Sequence, residues 1–117
     1  MEVEVLTEEE ALTTALAVTS IPDFPDADFG VPTRIPGMAE SWHQVLVDLG
    51  VLAIPAGIVG NAVASWLLTA LNKTPSPTRA KIVLRHGENE AEFDIESVRA
   101  GEIKQIVEAA VKRVYRT

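Results

Sequence analysis

The chain has no cysteine, which excludes disulfides, thiolate nucleophiles and cysteine-based zinc sites. Histidine is almost as scarce: His43 falls in a segment with helical spacing and His86 in a turn, and neither belongs to a motif. No HExxH, GxSxG, Walker or dinucleotide-binding glycine pattern occurs, so the usual metal, nucleophile and phosphate arrangements lack sequence support. Gly57 and Gly60 superficially suggest a phosphate loop, but they lie in an apolar stretch with neither a preceding strand nor a Lys-Ser/Thr pair. Acids and bases scattered over opposite faces do not make the geometry a reaction needs. The expectation is a protein that is not an enzyme, with no catalytic residue, no cofactor and no metal.

Positive charge is missing from one half only. Residues 1–50 hold ten acids and the single base Arg34, whereas 51–117 hold seven acids and nine bases, for a net charge of −7. A nucleic-acid binder needs a concentrated basic face, and the acidic half would repel phosphate, so no nucleic-acid partner is expected. The opening MEVEVLTEEE is acidic where a secretory leader has a basic region followed by an apolar core. This predicts a cytoplasmic protein. The length of 117 residues suits one domain with its own core.

What the chain does have is pattern. Glu2 and Glu4 alternate with Val3 and Val5, the period of a half-buried strand over 1–6. Thr7 and Glu10 have the spacing of a capping box, with Leu6 in the staple position, so a helix is predicted over 8–19 with Leu12, Ala15 and Leu16 inside. Thr13, Thr14 and Thr19 weaken it, and tertiary contact must hold it. Pro22, Pro25, Pro32 and Pro36 rule out continuous helix over 20–37. Phe24, Phe29, Val31 and Ile35 would pin that segment to the core, with room for a short edge strand over 29–35 beside the first. Asp23, Asp26 and Asp28 lack the spacing and closing glutamate of a calcium loop and read as a solvated acidic loop.

Met38, Trp42, Val45, Leu46 and Leu49 are spaced for one helical face, which predicts a helix over 37–49 capped by Gly50. Pro55 then opens a second helix that runs to Asn72. No charge falls between Asp48 and Lys73. Ala56, Gly60 and Ala64 form a small-residue row flanked by Gly57, Asn61 and Ser65, a face that allows close helix approach. Val59, Val63, Leu67 and Leu71, with Trp66 beside them, form a bulky face that needs core or lipid. Both faces are candidate interaction surfaces. Burial in the chain's own core and against another copy, insertion into a bilayer, and a masked docking surface compete as explanations. The 21 uncharged residues 51–71 would suffice for a ~30 Å hydrocarbon layer, but spanning would split the flanking strands across the membrane. Assembly is the stronger reading, as a homo-oligomer or on an effector, with membrane association the alternative.

After the turn TPSPT, residues 80–85 and 91–96 read as a hairpin. A turn at Glu88 and Asn89 sets Leu84 opposite Phe93 and Ile82 opposite Ile95, with Arg85 opposite Glu92 and Lys81 opposite Glu96 on the other face. A last helix is predicted over 98–115, burying Ile103, Ile106, Val107, Ala110, Val111 and Val114. Glu108 would pair with Lys112 outside, and Lys112, Arg113 and Arg116 would complement the helix dipole. The order predicts a single α+β domain over 1–117. Its small antiparallel or mixed sheet comprises the N-terminal strand, the C-terminal hairpin and a fourth strand, packed with helices, with an apolar helical hairpin over 38–72 inserted in the middle.

The strand MEVEV, the connector ending in Pro36-Gly37-Met38-Ala39, the Gly/Ala-rich helix running into Trp66-Leu67, and the hairpin AKIVLRHGENEAEFDI followed by a helix together resemble the effector-associated constant component family of bacterial conflict systems. The resemblance covers most of the chain and lies in patterns rather than catalytic signatures. Its members are often richer in arginine after the apolar helix, where this chain has Asn72 and Lys73 followed by TPSPT. The resemblance implies a non-catalytic accessory or adaptor of an immunity-type system, which couples a sensor to an effector protein such as a peptidase.

Overall fold

Alternation at the amino terminus produces β1 (Glu2–Thr7), in which Val3, Val5 and Thr7 are buried and Glu2, Glu4 and Leu6 face the other way. The computed structural model describes residues 1–35, 42–50, 54–74, 79–96 and 100–115. β1 is paired on both sides, antiparallel each time, with β4 (His43–Asp48) and with β5 (Arg79–His86). β6 (Asn89–Glu96) returns from β5 as a hairpin, and the two-residue strands β2 (Asp28–Phe29) and β3 (Thr33–Arg34) pair with β4. The result is a six-stranded antiparallel sheet in the order β2-β4-β1-β5-β6, with β3 also beside β4. The protein is α+β, a small sheet packed with helices.

Three helices, α1 (Glu10–Val18), α2 (Ala56–Asn72) and α3 (Ala100–Val114), cover the face that carries Val3, Val5, Val45, Val47, Ile82 and Leu84. α2 lies between the other two. Its Val59, Val63, Trp66 and Leu67 are buried, the Trp66 indole N–H donates to the Leu16 carbonyl at 3.1 Å, and its ring meets Phe29 edge-on at 6.1 Å. On the opposite flank Gly60 lies against α3, where an added Cβ would stand 3.2 Å from the Glu108 Cα. α2 runs 17 residues, and among the described residues no helix is long and apolar enough to cross a membrane.

The helix expected over 37–49 is not what forms. Residues 43–48 are β4, while 36–41 lie outside the described residues. Trp42, Val45, Leu46 and Leu49 satisfy helical spacing, but the burial follows a period of two: Val45, Val47 and Leu49 are inside and Leu46 is 38% exposed. The β-branched valines suit the pleat, and β4 supplies the second neighbour that β1 requires. The apolar insertion is therefore one helix instead of a helical hairpin, and that helix is part of the core.

Smaller differences have equally local causes. Thr7 belongs to β1 and does not cap a helix; its hydroxyl donates to the Arg79 carbonyl at 2.6 Å and accepts the Glu9 N–H at 3.1 Å, so α1 begins later, at Glu10. The short strands near 29–35 pair with β4 rather than with β1, and Val31 is 81% exposed rather than pinned to the core. The hairpin turns at Gly87 and Glu88, with the positive φ of 61° on Gly87. This moves the register by two, to Leu84↔Ala91, Ile82↔Phe93, Arg85↔Glu90 and Lys81↔Asp94. An even shift keeps every side chain on the expected face. Helix α3 buries Ile103, Val107, Ala110, Val111 and Val114 as its spacing predicts, with Ile106 half-buried. The Glu108 to Lys112 pair is not among the ion pairs of the described residues.

The hairpin also holds the end of α3. Asn89 Nδ2 donates to the Val114 carbonyl at 3.0 Å, and Tyr115 stacks on His86 with ring centroids 4.2 Å apart and planes 8° from parallel. Burial pushes the Tyr115 phenol above its usual value, and its hydroxyl has no hydrogen-bond partner among the described residues.

Two predictions follow from this packing. Gly60→Leu places its side chain against the α3 backbone and is expected to cost on the order of 3 kcal/mol, read as a lower urea midpoint. An unchanged midpoint would mean that α3 does not seat on Gly60. For Tyr115, a raised folded-state pKa means the folded protein holds the proton more tightly than the unfolded chain. Stability is then fully present below a pH of about 10 and falls as pH rises through the folded value. Because the chain has one tyrosine, an ultraviolet absorbance titration reads it directly. The midpoint should lie above the usual value in the native protein and drop in urea; identical midpoints would contradict the buried placement.

Candidate interaction surface

With all three helices on one side, every second residue of the strands faces outward with no described helix over it. β1 contributes Glu2, Glu4 and Leu6 and β4 contributes Gln44, Leu46 and Asp48; β5 adds Arg79, Lys81, Val83 and Arg85, and β6 adds Glu90, Glu92, Asp94 and Glu96. Carboxylates outnumber cations on this surface. The alternation that buries valines on one side thus places acids at a period of two on the other.

Arg85 organises the middle of the face. Its Nη1 donates to Glu2 Oε1 at 2.9 Å, its Nη2 to Glu4 Oε1 at 2.9 Å, and its Nε to Glu90 Oε2 at 3.3 Å, so one guanidinium ties the two strands on either side of β5. The hydrogen bond to Glu4, with those to Glu2 and Glu90 adding to it and partial burial opposing, holds Arg85 above its ordinary value. The second Glu4 oxygen accepts from the Gln44 amide, which extends the network to β4. Lys81 reaches diagonally to Glu92 at 2.9 Å, and that carboxylate raises the lysine pKa. Val83, between Lys81 and Arg85 in the strand, is buried beneath this charged layer.

A shallow hollow lies at each end of the face. One of 420 Å³ is lined by Met1, Glu2, Asp48, Gly50, Arg85 and Gly87. Its shape depends on a turn in which Asp48 Oδ1 accepts the Gly50 N–H at 2.8 Å and Gly50 takes a φ of 83°. The other, of 280 Å³, is lined by Leu6, Trp42, Arg79, Ala80, Lys81 and Asp94. The surface therefore combines fixed carboxylates with apolar points at Leu6, Trp42 and Leu46, a mixture suited to a cationic, partly apolar partner. Among the described residues no group of three or more His, Asp or Glu is placed to hold a metal ion.

Compared with known proteins, the chain matches no family model, no curated protein and no solved structure.

The residues singled out on α2 are divided between core and surface. Of the bulky face, Val59, Val63, Trp66 and Leu67 are buried and Leu71 packs half-buried against the core. Of the small face, Gly60 and Ala64 are buried, Ala56 and Ser65 are half-buried, and Gly57 and Asn61 are exposed. Asn61, Ala64 and Ser65 line a 200 Å³ groove with Leu68, Thr69, Asn72 and Lys104 of α3. The small face thus receives α3 of the same chain. The Arg85 cluster had a signal in the sequence, charge at a period of two in both MEVEV and RAKIVLR, but its partners Glu4 and Glu2 lie 81 and 83 positions away.

Replacing Arg85 by Met keeps much of the stem but leaves Glu2, Glu4 and Glu90 facing one another. Arg85→Met should lower stability by about 1–2 kcal/mol at low ionic strength, the modest size reflecting a half-exposed site. The deficit should shrink at about 1 M salt, where charges are screened within ~3 Å. Urea midpoints at two salt concentrations check this, and a deficit independent of salt would assign the effect to lost packing of the stem.

Proposed function

We propose that the chain is a non-catalytic binding component, an adaptor of the kind found in bacterial conflict systems, that meets an effector protein through the open face of its sheet. The observation that carries this reading is the one-sided layering: three helices over one face of a six-stranded sheet, and a charged, hollowed face opposite. An antiparallel sheet tolerates water on one side, and here ion pairs orient Arg85, Lys81 and the carboxylates of Glu2, Glu4, Glu90 and Glu92 before any partner arrives. Such preorganisation reduces the ordering cost of association. The excess of carboxylates favours a basic partner surface and speeds encounter with it.

The family resemblance supplies the class of partner, an effector such as a peptidase. It also motivates the separation of labour: the effector carries the chemistry and this chain carries recognition. α2 then serves the core, since its bulky row already has neighbours within the chain. Its exposed points are few, Ile58 at 45% being the one large apolar side chain on α2 that is exposed.

The reading is tested by co-expression with the protein encoded beside it, followed by co-purification of a tagged chain. Glu2→Lys and Glu92→Lys on the open face should abolish the complex, and Ile58→Asp on α2 should leave it intact, with all three folded by thermal melt. A complex that survives both reversals and is lost with Ile58→Asp would move the partner surface to the helices.

A further inference from the structure

The two edges of the sheet are built differently. On one side β2 and β3 have two residues each and are separated by Gly30, Val31 and Pro32, which leaves little ladder to extend. On the other side β6 runs eight residues without proline or glycine, and its register with β5 is unbroken from His86↔Asn89 to Arg79↔Glu96. A two-residue turn makes His86 and Asn89 a hydrogen-bonded pair, and in an antiparallel ladder such pairs recur at every second rung. Asn89, Ala91, Phe93 and Ile95 therefore direct their backbone groups to β5. The N–H and C=O groups of Glu90, Glu92, Asp94 and Glu96 point away from it, and among the described residues no strand or backbone hydrogen bond takes them up.

Those four residues also carry the exposed acids of β6. β5 neutralises two of them, Glu92 through Lys81 and Glu90 through Arg85, while Asp94 and Glu96 have no ion-pair partner among the described residues. On the helix side of the edge Phe93 is only half-buried. In an antiparallel pair, the residue opposite each acid would share its backbone hydrogen bonds and place its side chain on the same open face.

We infer that the free edge of β6 accepts a β-strand from a partner protein, one that alternates basic residues toward the open face with apolar residues toward the helices. This rests on reading the chain as a binding component and names the segment the partner supplies. β5 shows the complement already in place, with Arg79, Lys81 and Arg85 alternating against the acids of β6. A second copy is a poor occupant. Every antiparallel β6-to-β6 register that keeps Phe93 and Ile95 on the helix side sets acid opposite acid wherever the strands overlap, and like charges directly opposite destabilise a sheet.

The probe is a labelled eight-residue peptide alternating lysine with valine, added to the full chain. Binding should appear by fluorescence anisotropy, weaken with salt, and slow hydrogen exchange at least tenfold at the Glu90, Glu92, Asp94 and Glu96 amides. A peptide alternating glutamate with valine should not bind. The lysine peptide N-methylated at its lysine amides keeps its charge but loses the backbone bonds, and should bind at least tenfold more weakly. Asp94→Pro removes one outward N–H without touching the β5 ladder and should cost at least tenfold in affinity, whereas Asp94→Asn should cost about two- to fivefold. Unchanged exchange at those amides, or equal binding by the methylated peptide, would overturn the inference; if Asp94→Pro does not fold, the exchange pattern of the unaltered chain decides. An effector complex that survives Asp94→Pro but not Glu2→Lys would overturn the edge and leave the open face standing. Peptide binding at the edge with no effector binding at all would overturn the adaptor reading alone.

Discussion

Everything in this fold depends on β1 being paired along both sides at once. Val3 lies between Val47 and Leu84, and Val5 between Val45 and Ile82, so two cross-strand rows fill the sheet's inner face. Each such side chain contributes about 1.5–3 kcal/mol on burial, while a half-exposed ion pair contributes about 0–1 kcal/mol. The valines therefore hold the sheet together. The acids between them do something else: Glu2 and Glu4 meet Arg85 in one register only, so they favour one alignment over its neighbours. A slip of one residue would bring glutamates into the core, and a slip of two would part the guanidinium from its carboxylates.

The position of α2 follows from that sheet. α2 connects β4 to β5, which flank β1 and therefore run parallel, so the chain must cross over the inner face between them. A helix in the middle of a three-helix layer has neighbours on three sides: the sheet below, α1 on one flank and α3 on the other. It is apolar most of the way round for that reason, and membrane insertion is not needed to explain its composition. A glycine stands where α3 comes close, at Gly60, and the outward strip consists mainly of Gly57, Ile58, Asn61, Thr69 and Asn72.

Elements whose pattern is repeated over many residues were legible in the sequence. α3 shows its stripe over several turns, and the hairpin shows alternation on two adjacent strands, so their faces are assigned correctly from spacing alone. The turn was misplaced because Glu88 and Asn89 lie midway between the apolar runs, whereas Gly87 supplies the positive φ that a tight turn needs. β4 was not legible. Its apolar residues fit both periods over so short a window, and the deciding fact, the unfilled side of β1, lies forty residues away in the chain. A still larger separation concealed the Arg85 network, whose members belong to four different strands, β1, β4, β5 and β6.

The acids on the outer face also reconcile two requirements that otherwise conflict. A sheet with one uncovered face and one unblunted edge invites pairing with its own kind, and the usual safeguards of proline, bulge or lysine are missing from β6. A row of four acids, of which Asp94 and Glu96 have no ion-pair partner among the described residues, supplies the safeguard through charge, because a second copy presents the same sign along the same row. Unlike a proline or a bulge, however, charge leaves the backbone groups of the edge intact and available. It discourages pairing with another copy of the chain while admitting a strand of the opposite sign. The pattern that disfavours pairing of β6 with another β6 is thus also what specifies the chemistry of a strand that can join it.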